Sequence, residues 1–246
     1  MLKNYKYIDV AVGLKGYIRK SEEEVRATCI SEGVFNIYKQ NETDIKGEKT
    51  LKGVEPLKLF SDNVNVDERL SVKHALGIGE TGLDYTIPFI NRDAQIKSFV
   101  KHLEKAKEEG KPVVAQCKSA FEDFYSMMEK YNPKENKVIV TRFDGTLVEM
   151  LKLLSLGCYI GIDDYIVEEL NDDKFLMQIM MIPRNKMILY TGSPYSRVLN
   201  INGKSRENYP WNIKEIISKL SRVLYIDEEE MREVAINNVC EVFNLG

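Results

Sequence analysis

Short apolar runs alternate with longer amphipathic segments along most of the chain. Tyr7 to Val12 (YIDVAV) and Val34 to Tyr38 (VFNIY) are apolar enough to be strands. Between them, Ser21-Glu22-Glu23-Glu24 carries the capping-box pattern, serine at the N-cap and glutamate three residues later. That predicts a helix running toward Ile30 and closed by Gly33. Thr50 to Val54 is a third strand candidate, whereas Leu57 to Lys73 shows neither the strand nor the helix period. The pattern sharpens at Ala75-Leu76-Gly77-Ile78-Gly79, a strand ending in Glu80. Asp93 starts a long helix with Ile96, Phe99, Val100, Leu103 and Ala106 on one face, and Gly110 followed by Pro112 stops it. Downstream, strands at 112–116, 137–141, 158–162 and 186–190 alternate with helices at 121–131, 145–156 and 165–181. Two further helices, 212–222 and 227–243, complete the pattern.

The strand candidates are apolar throughout rather than alternating, which describes parallel strands covered on both faces. Eight βα units in 246 residues most simply close into a TIM-type (β/α)8 barrel, with an open doubly wound sheet as the rival arrangement. No Pro/Gly/Ser-rich linker divides the chain, so residues 1–246 are expected to form one domain. At 43% hydrophobic and 30% charged residues the chain can bury a sizeable core without disulfides or a structural metal. A net charge of -3 announces no dominant basic face for nucleic acid. Four cysteines without a CxxC spacing argue against a zinc knuckle or a disulfide scaffold. The first residues lack a signal-peptide pattern and no run is apolar enough to span a membrane, so a cytoplasmic or nuclear, non-secreted and non-membrane protein is expected. Only two histidines, His74 and His102, are present, which excludes any site built on three imidazoles of this chain.

The residues at the strand ends resemble a known family. Gly79-Glu80-Thr81-Gly82-Leu83-Asp84-Tyr85 is similar to the G-E-x-G-L-D-[YF] signature of the TatD metal-dependent deoxyribonucleases. The stretch from Gln95 through Gly110 to Lys111-Pro112-Val113-Val114 resembles the helix and strand that follow it in that family, and Phe143-Asp144-Gly145-Thr146 resembles the F-D-G-T of its eukaryotic branch. Tyr159-Ile160-Gly161, Pro194-Tyr195, Asn237-Asn238 and Phe243 fall in the family order. The resemblance implies a TIM-like barrel that hydrolyses phosphodiester bonds with one or two divalent metals, which activate water and neutralise phosphate charge.

The ligand positions implied by the resemblance are largely altered. Ala11 and Gly13 stand where bacterial members carry H-x-H, a pair the eukaryotic branch also lacks. Glu55 falls at a histidine position of the third unit. Glu80 keeps the fourth-strand carboxylate, but Gln116 and Thr141 replace histidines and Gly192 replaces an acid, with Tyr190 in place of the neighbouring glutamate. One carboxylate with neutral neighbours holds a hydrated ion weakly. The expectation is a TatD-like barrel without a working metal centre and with no cofactor, a non-catalytic binding or structural partner of an unidentified protein or assembly. The alternative is a divergent DNA exonuclease or phosphodiester hydrolase using Mg²⁺ or another divalent ion held by Asp9, Glu55, Glu80 and Asp144. A further reading keeps nucleic-acid binding without cleavage through Lys118, Arg142, Lys204 and Arg206.

Each candidate also has a structural explanation. Glu80 is better explained as a buried strand-end acid and Asp84 as a loop cap or brace, while Lys118 and Arg142 are equally explained as cations turned aside by strand alternation. Cys117 has no histidine base nearby in sequence and reads as a buried inert thiol. His102 falls on an outer helix and neither histidine is expected to be a ligand. Met177, Met180 and Met181 lie at helical spacing, as core or as a contact surface.

Overall fold

The computed structural model describes residues 5–13, 15–39, 49–59, 74–163, 173–194, 198–199 and 205–246. In chain order the elements are β1 Tyr7–Val12, α1 Glu22–Glu32, β2 Val34–Lys39, β3 Thr50–Lys52, β4 Gly77–Asp84, α2 Arg92–Glu109, β5 Val113–Lys118, α3 Phe121–Tyr131, β6 Val138–Thr141 and α4 Leu147–Ser155. They continue with β7 Tyr159–Ile162, α5 Asp173–Met181, β8 Met187–Leu189, β9 Val198–Leu199, β10 Ser205–Arg206, α6 Ile213–Val223 and α7 Glu228–Phe243. The first eight strands follow one another in the sheet in chain order, and β9 and β10 form a separate antiparallel pair. The described residues group into two compact units, residues 1–49 with 162–246, and residues 50–161. Among the described residues no helix is long and apolar enough to cross a membrane.

In the first unit β1 pairs in parallel with β2, from Tyr7 opposite Val34 to Val12 opposite Tyr38, with an irregularity at Ala11. The capping box forms as expected: the Glu24 amide donates to Ser21 Oγ at 3.2 Å and the Ser21 amide donates to Glu24 Oε2 at 2.7 Å. The helix therefore starts where the pattern predicts, and Gly33 ends it. Ile213, Ile216, Ile217 and Leu220 give α6 a continuous buried stripe, and Met231, Ala235, Val239 and Val242 do the same for α7. Helix α7 lies against β1 and β8. Helix α5 begins at Asp173, and residues 165–172 of the predicted helix lie outside the described residues. Met177, Met180 and Met181 are on its exposed side.

In the second unit β4 pairs with β5 from Ile78 opposite Val113 to Asp84 opposite Lys118, and β5 with β6 from Val113 opposite Val138 to Gln116 opposite Thr141. Strand β4 does not end at Glu80, as the pattern suggested, but runs on to Asp84. Glycine and glutamate are poor strand formers, so composition argued for an earlier stop. The glycines are there because β5 comes close: a Cβ on Gly82 would lie 2.2 Å from the Gln116 carbonyl oxygen, and one on Gly79 would lie 2.5 Å from that of Val114. Helix α2 is capped by Asn91, whose Oδ1 accepts from the Ala94 amide at 2.9 Å, and Gly110 closes it. Helix α4 starts at Leu147 behind a second capping box, Thr146 with Glu149. Of the unreadable stretch 57–73, residues 60–73 lie outside the described residues.

Candidate functional site

Glu80 sits within β4 and is buried. The Thr141 hydroxyl, at the end of β6, donates to Glu80 Oε1 at 3.4 Å. Gln116 on β5 is the register partner of Thr141 and is buried too. The structure thus joins the retained acid to Thr141, and seats Gln116 beside Thr141 in the sheet. Together they offer one carboxylate, one neutral amide oxygen and a hydroxyl whose proton points at the carboxylate. A hard divalent cation takes about six oxygen ligands, with anionic or imidazole groups doing most of the charge compensation. Among the described residues no group of three or more His, Cys, Asp or Glu is placed to hold a metal ion. This donor set does not fit the divalent ion that the family resemblance implies.

The other candidate acids are committed elsewhere. Asp9, fully buried in β1, accepts from the Thr191 amide at 2.8 Å and from its hydroxyl at 2.6 Å. Burial pushes its carboxyl up to about 7, against the lowering effect of the Thr191 bonds. The Thr191 carbonyl accepts in turn from Asn208 Nδ2 at 2.7 Å, and Asn212 donates to Asn208 at 3.0 Å. Asp9 therefore ties β1 to the segment beyond β8. Ala11 and Gly192 are buried and bring no ligating side chain, and the Gly13 amide donates to the Ser193 carbonyl at 2.8 Å. Glu55 pairs with Lys58 at 3.4 Å. Asp144 accepts from the Ser119 amide at 2.7 Å and its hydroxyl at 2.8 Å. Asp84 braces its loop as expected, accepting from the Thr86 amide at 3.0 Å.

The four candidate cations are placed differently. Lys118 ends β5 two residues beyond Gln116, so the pleat puts both on one face; alternation does not turn it aside, contrary to the structural expectation. Arg142 lies one residue past β6 with φ 51, outside the strand alternation altogether. Arg206 falls in β10, and Lys204 lies outside the described residues.

His102 is no ligand. It is fully buried; its Nε2 accepts from the Val54 amide at 2.9 Å, so the proton is on Nδ1, which bonds the Ser98 carbonyl at 2.6 Å. Burial pulls it down to about 4, keeping the ring neutral. Cys117 is buried and its thiol pushed well above the ordinary range, an inert group. Sequence reasoning missed Gln95, whose Oε1 accepts from the Asp84 amide at 2.8 Å while its Nε2 donates to the Asp84 carbonyl at 3.0 Å. It also missed Thr191 as the partner of Asp9; the only signal was a side-chain hydroxyl directly before Gly192.

Eight parallel strands, most of them followed by a helix, define a TIM-type (β/α)8 barrel. A TatD homologue from Escherichia coli shares the fold with a TM-score of 0.83 at 19% identity, over 100% of both chains. Residues 48–244 match the TatD related DNase family, and the chain belongs to that family. The chain is 30% identical over 173 residues to the 3'-5' ssDNA/RNA exonuclease TatD of Edwardsiella piscicida, a match covering 70% of this chain and 66% of that protein, just under two thirds of its length. It is 27% identical over 227 residues to an uncharacterised metal-dependent hydrolase of Buchnera aphidicola, covering 89% of this chain and 85% of that one.

Proposed function

We propose that this TatD-family chain works without a divalent-metal centre, as a non-catalytic binding or structural partner in the cytoplasm or nucleus. The observation that carries the reading is the Glu80 surroundings: a single carboxylate beside a neutral Gln116 and a Thr141 hydroxyl, with no second anionic or imidazole group among them. Losing a single group that merely orients a ligand costs about 10–100-fold in affinity or activity, and here ligands themselves are replaced. Asp9 is similarly spent on Thr191.

A second reading, a metal-dependent DNA exonuclease or phosphodiester hydrolase, is supported by family membership and by the activity named for the Edwardsiella relative. One assay separates the two. The purified chain is incubated with single-stranded DNA and RNA oligonucleotides in Mg²⁺, Mn²⁺ or Zn²⁺, beside Glu80→Ala. The non-catalytic reading expects no shortening beyond that of the Glu80→Ala preparation. Metal-dependent turnover that vanishes in Glu80→Ala overturns it and establishes the hydrolase.

A further inference from the structure

A cavity of about 510 Å³ opens in the second unit, beside the loop from β4 to α2 and the N-terminal ends of α3 and α4. Glu80, Gln116 and Thr141 are not among its lining residues. Cys117 lines it, and strand alternation puts Cys117 on the opposite face of β5 from Gln116. We propose that this cavity is a docking socket for a basic side chain, a guanidinium or an ammonium, presented by a partner protein. This goes beyond the reading above and does not depend on whether the chain hydrolyses anything.

Charge selects the occupant. Glu122, Asp123, Asp144 and Glu149 line the cavity against one cation, Arg92. Three of these carboxylates are held in place by neutral donors. Tyr85 Oη donates to Asp123 at 2.8 Å, the Ser119 amide and hydroxyl hold Asp144, and the Thr146 hydroxyl donates to Glu149 at 2.8 Å. Neutral donors orient a carboxylate without cancelling its charge, so the site is preorganised and still anionic. The walls are aromatic: Tyr85, Phe121 and Phe143 contribute rings. Two of them already carry cations: the Arg92 guanidinium lies 4.5 Å from the Tyr85 ring centroid and Lys152 Nζ lies 5.7 Å from that of Phe121, which leaves the four carboxylates in excess. Phosphate is repelled by the same charge, which argues against nucleic acid as the occupant.

The loop supplies a second feature of an interface. Phe89 lies between Tyr85 and Arg92 in sequence and is fully exposed, with φ 62. A bulky residue held in the left-handed region with its ring in water is unusual, and exposed aromatics are enriched where proteins meet. The fitting partner segment is a basic residue next to an apolar one, the first entering the cavity and the second covering Phe89.

The probe is acetyl-Leu-Arg-amide, titrated into the full chain by amide NMR or calorimetry, with acetyl-Leu-citrulline-amide as its uncharged isostere. The arginine peptide is expected to bind saturably, shifting amides of residues 85–92 and 119–123. The citrulline peptide should bind at least about tenfold more weakly, given what cation–π and charge contacts contribute in a partly dry site. Glu122→Lys, an exposed substitution on the first turn of α3, should abolish binding, and Phe89→Ala should weaken the Leu-Arg peptide while leaving acetyl-Gly-Arg-amide unchanged. Citrulline binding as well as arginine, failure to saturate, indifference to Glu122→Lys, or displacement of the peptide by a thymidine oligonucleotide would each overturn the proposal. Cleavage of DNA by the chain would leave it standing.

Discussion

Asp9→Asn should change the pH dependence of stability in one direction only. The Asp9 carboxyl is pushed from 3.8 to about 7 by burial, so the folded chain binds that proton more tightly than the unfolded chain does. Stability from this group is complete below about pH 4 and is lost as pH rises through about 7, each tenfold difference in proton affinity between the two states being worth ~1.4 kcal/mol. The wild type should therefore lose about 3 kcal/mol relative to the variant on going from pH 5 to pH 8. His102 works the other way: pulled from 6.5 to about 4, it removes stability as pH falls through that interval. The two effects oppose each other between about pH 4 and pH 6.5, so the wild-type curve alone does not isolate either of them. The difference between wild type and variant isolates Asp9, because His102 and every other group appear in both. Asparagine keeps the shape, with its Oδ1 able to accept from the Thr191 amide and the Thr191 hydroxyl able to accept from its Nδ2. The assay is urea unfolding followed by far-UV circular dichroism at pH 5, 6, 7 and 8. A difference that stays constant with pH, or one that grows in favour of the wild type as pH rises, would refute the reasoning. It would mean that the Thr191 bonds outweigh burial.

Three further outcomes are expected. Gly82→Ala should cost about 3–5 kcal/mol, combining a left-handed backbone penalty at φ 107 with a Cβ driven against the Gln116 backbone; a thermal midpoint within a degree or two of wild type would contradict it. Gln95→Ala should cost about 3 kcal/mol by urea unfolding and speed exchange of the Asp84 amide, since it leaves a buried amide and carbonyl without their partner; unchanged exchange would show that Gln95 is not the brace. Millimolar Mg²⁺, Mn²⁺ or Zn²⁺ should leave the thermal midpoint within a degree of that in chelator, whereas an ion present at about 100 times its dissociation constant would add about 2.7 kcal/mol and several degrees.

The barrel was legible because its physics is local. Continuous apolar runs, period-3.6 runs, the capping box at Ser21 and glycine stops at Gly33 and Gly110 are written in adjacent residues. What failed was set by other strands. The reach of β4 to Asp84 depends on β5 lying so close that only glycine fits at 79 and 82. The role of His102 depends on an amide 48 residues away, and that of Asp9 on Thr191, 182 residues away. Positions 80, 116 and 141, grouped from the motifs alone, do meet: Glu80 bonds Thr141, and Thr141 pairs with Gln116. The cavity beside Tyr85 left no trace, because Tyr85, Ser119 and Asp144 meet only through three separate loops.

The strongest family motif in the chain, Gly79 to Tyr85, testifies to packing more than to chemistry. Gly79 and Gly82 are demanded by the β5 backbone, Leu83 is buried core, and Asp84 holds its own loop and is gripped by Gln95. Tyr85 belongs to the cavity wall, on the side away from Gln116. That leaves Glu80 as the one residue of the seven whose side chain could have served a metal, and its fellow positions on β5 and β6 are now an amide and a hydroxyl. Selection on the fold alone would preserve Gly79, Gly82, Leu83 and Asp84. A chain can therefore match its family over most of its length and keep this motif for packing alone, whatever stands at 116, 141 and 192. The motif by itself therefore does not decide whether the chain hydrolyses anything; family membership favours hydrolysis, and the donor set around Glu80 is the observation set against it.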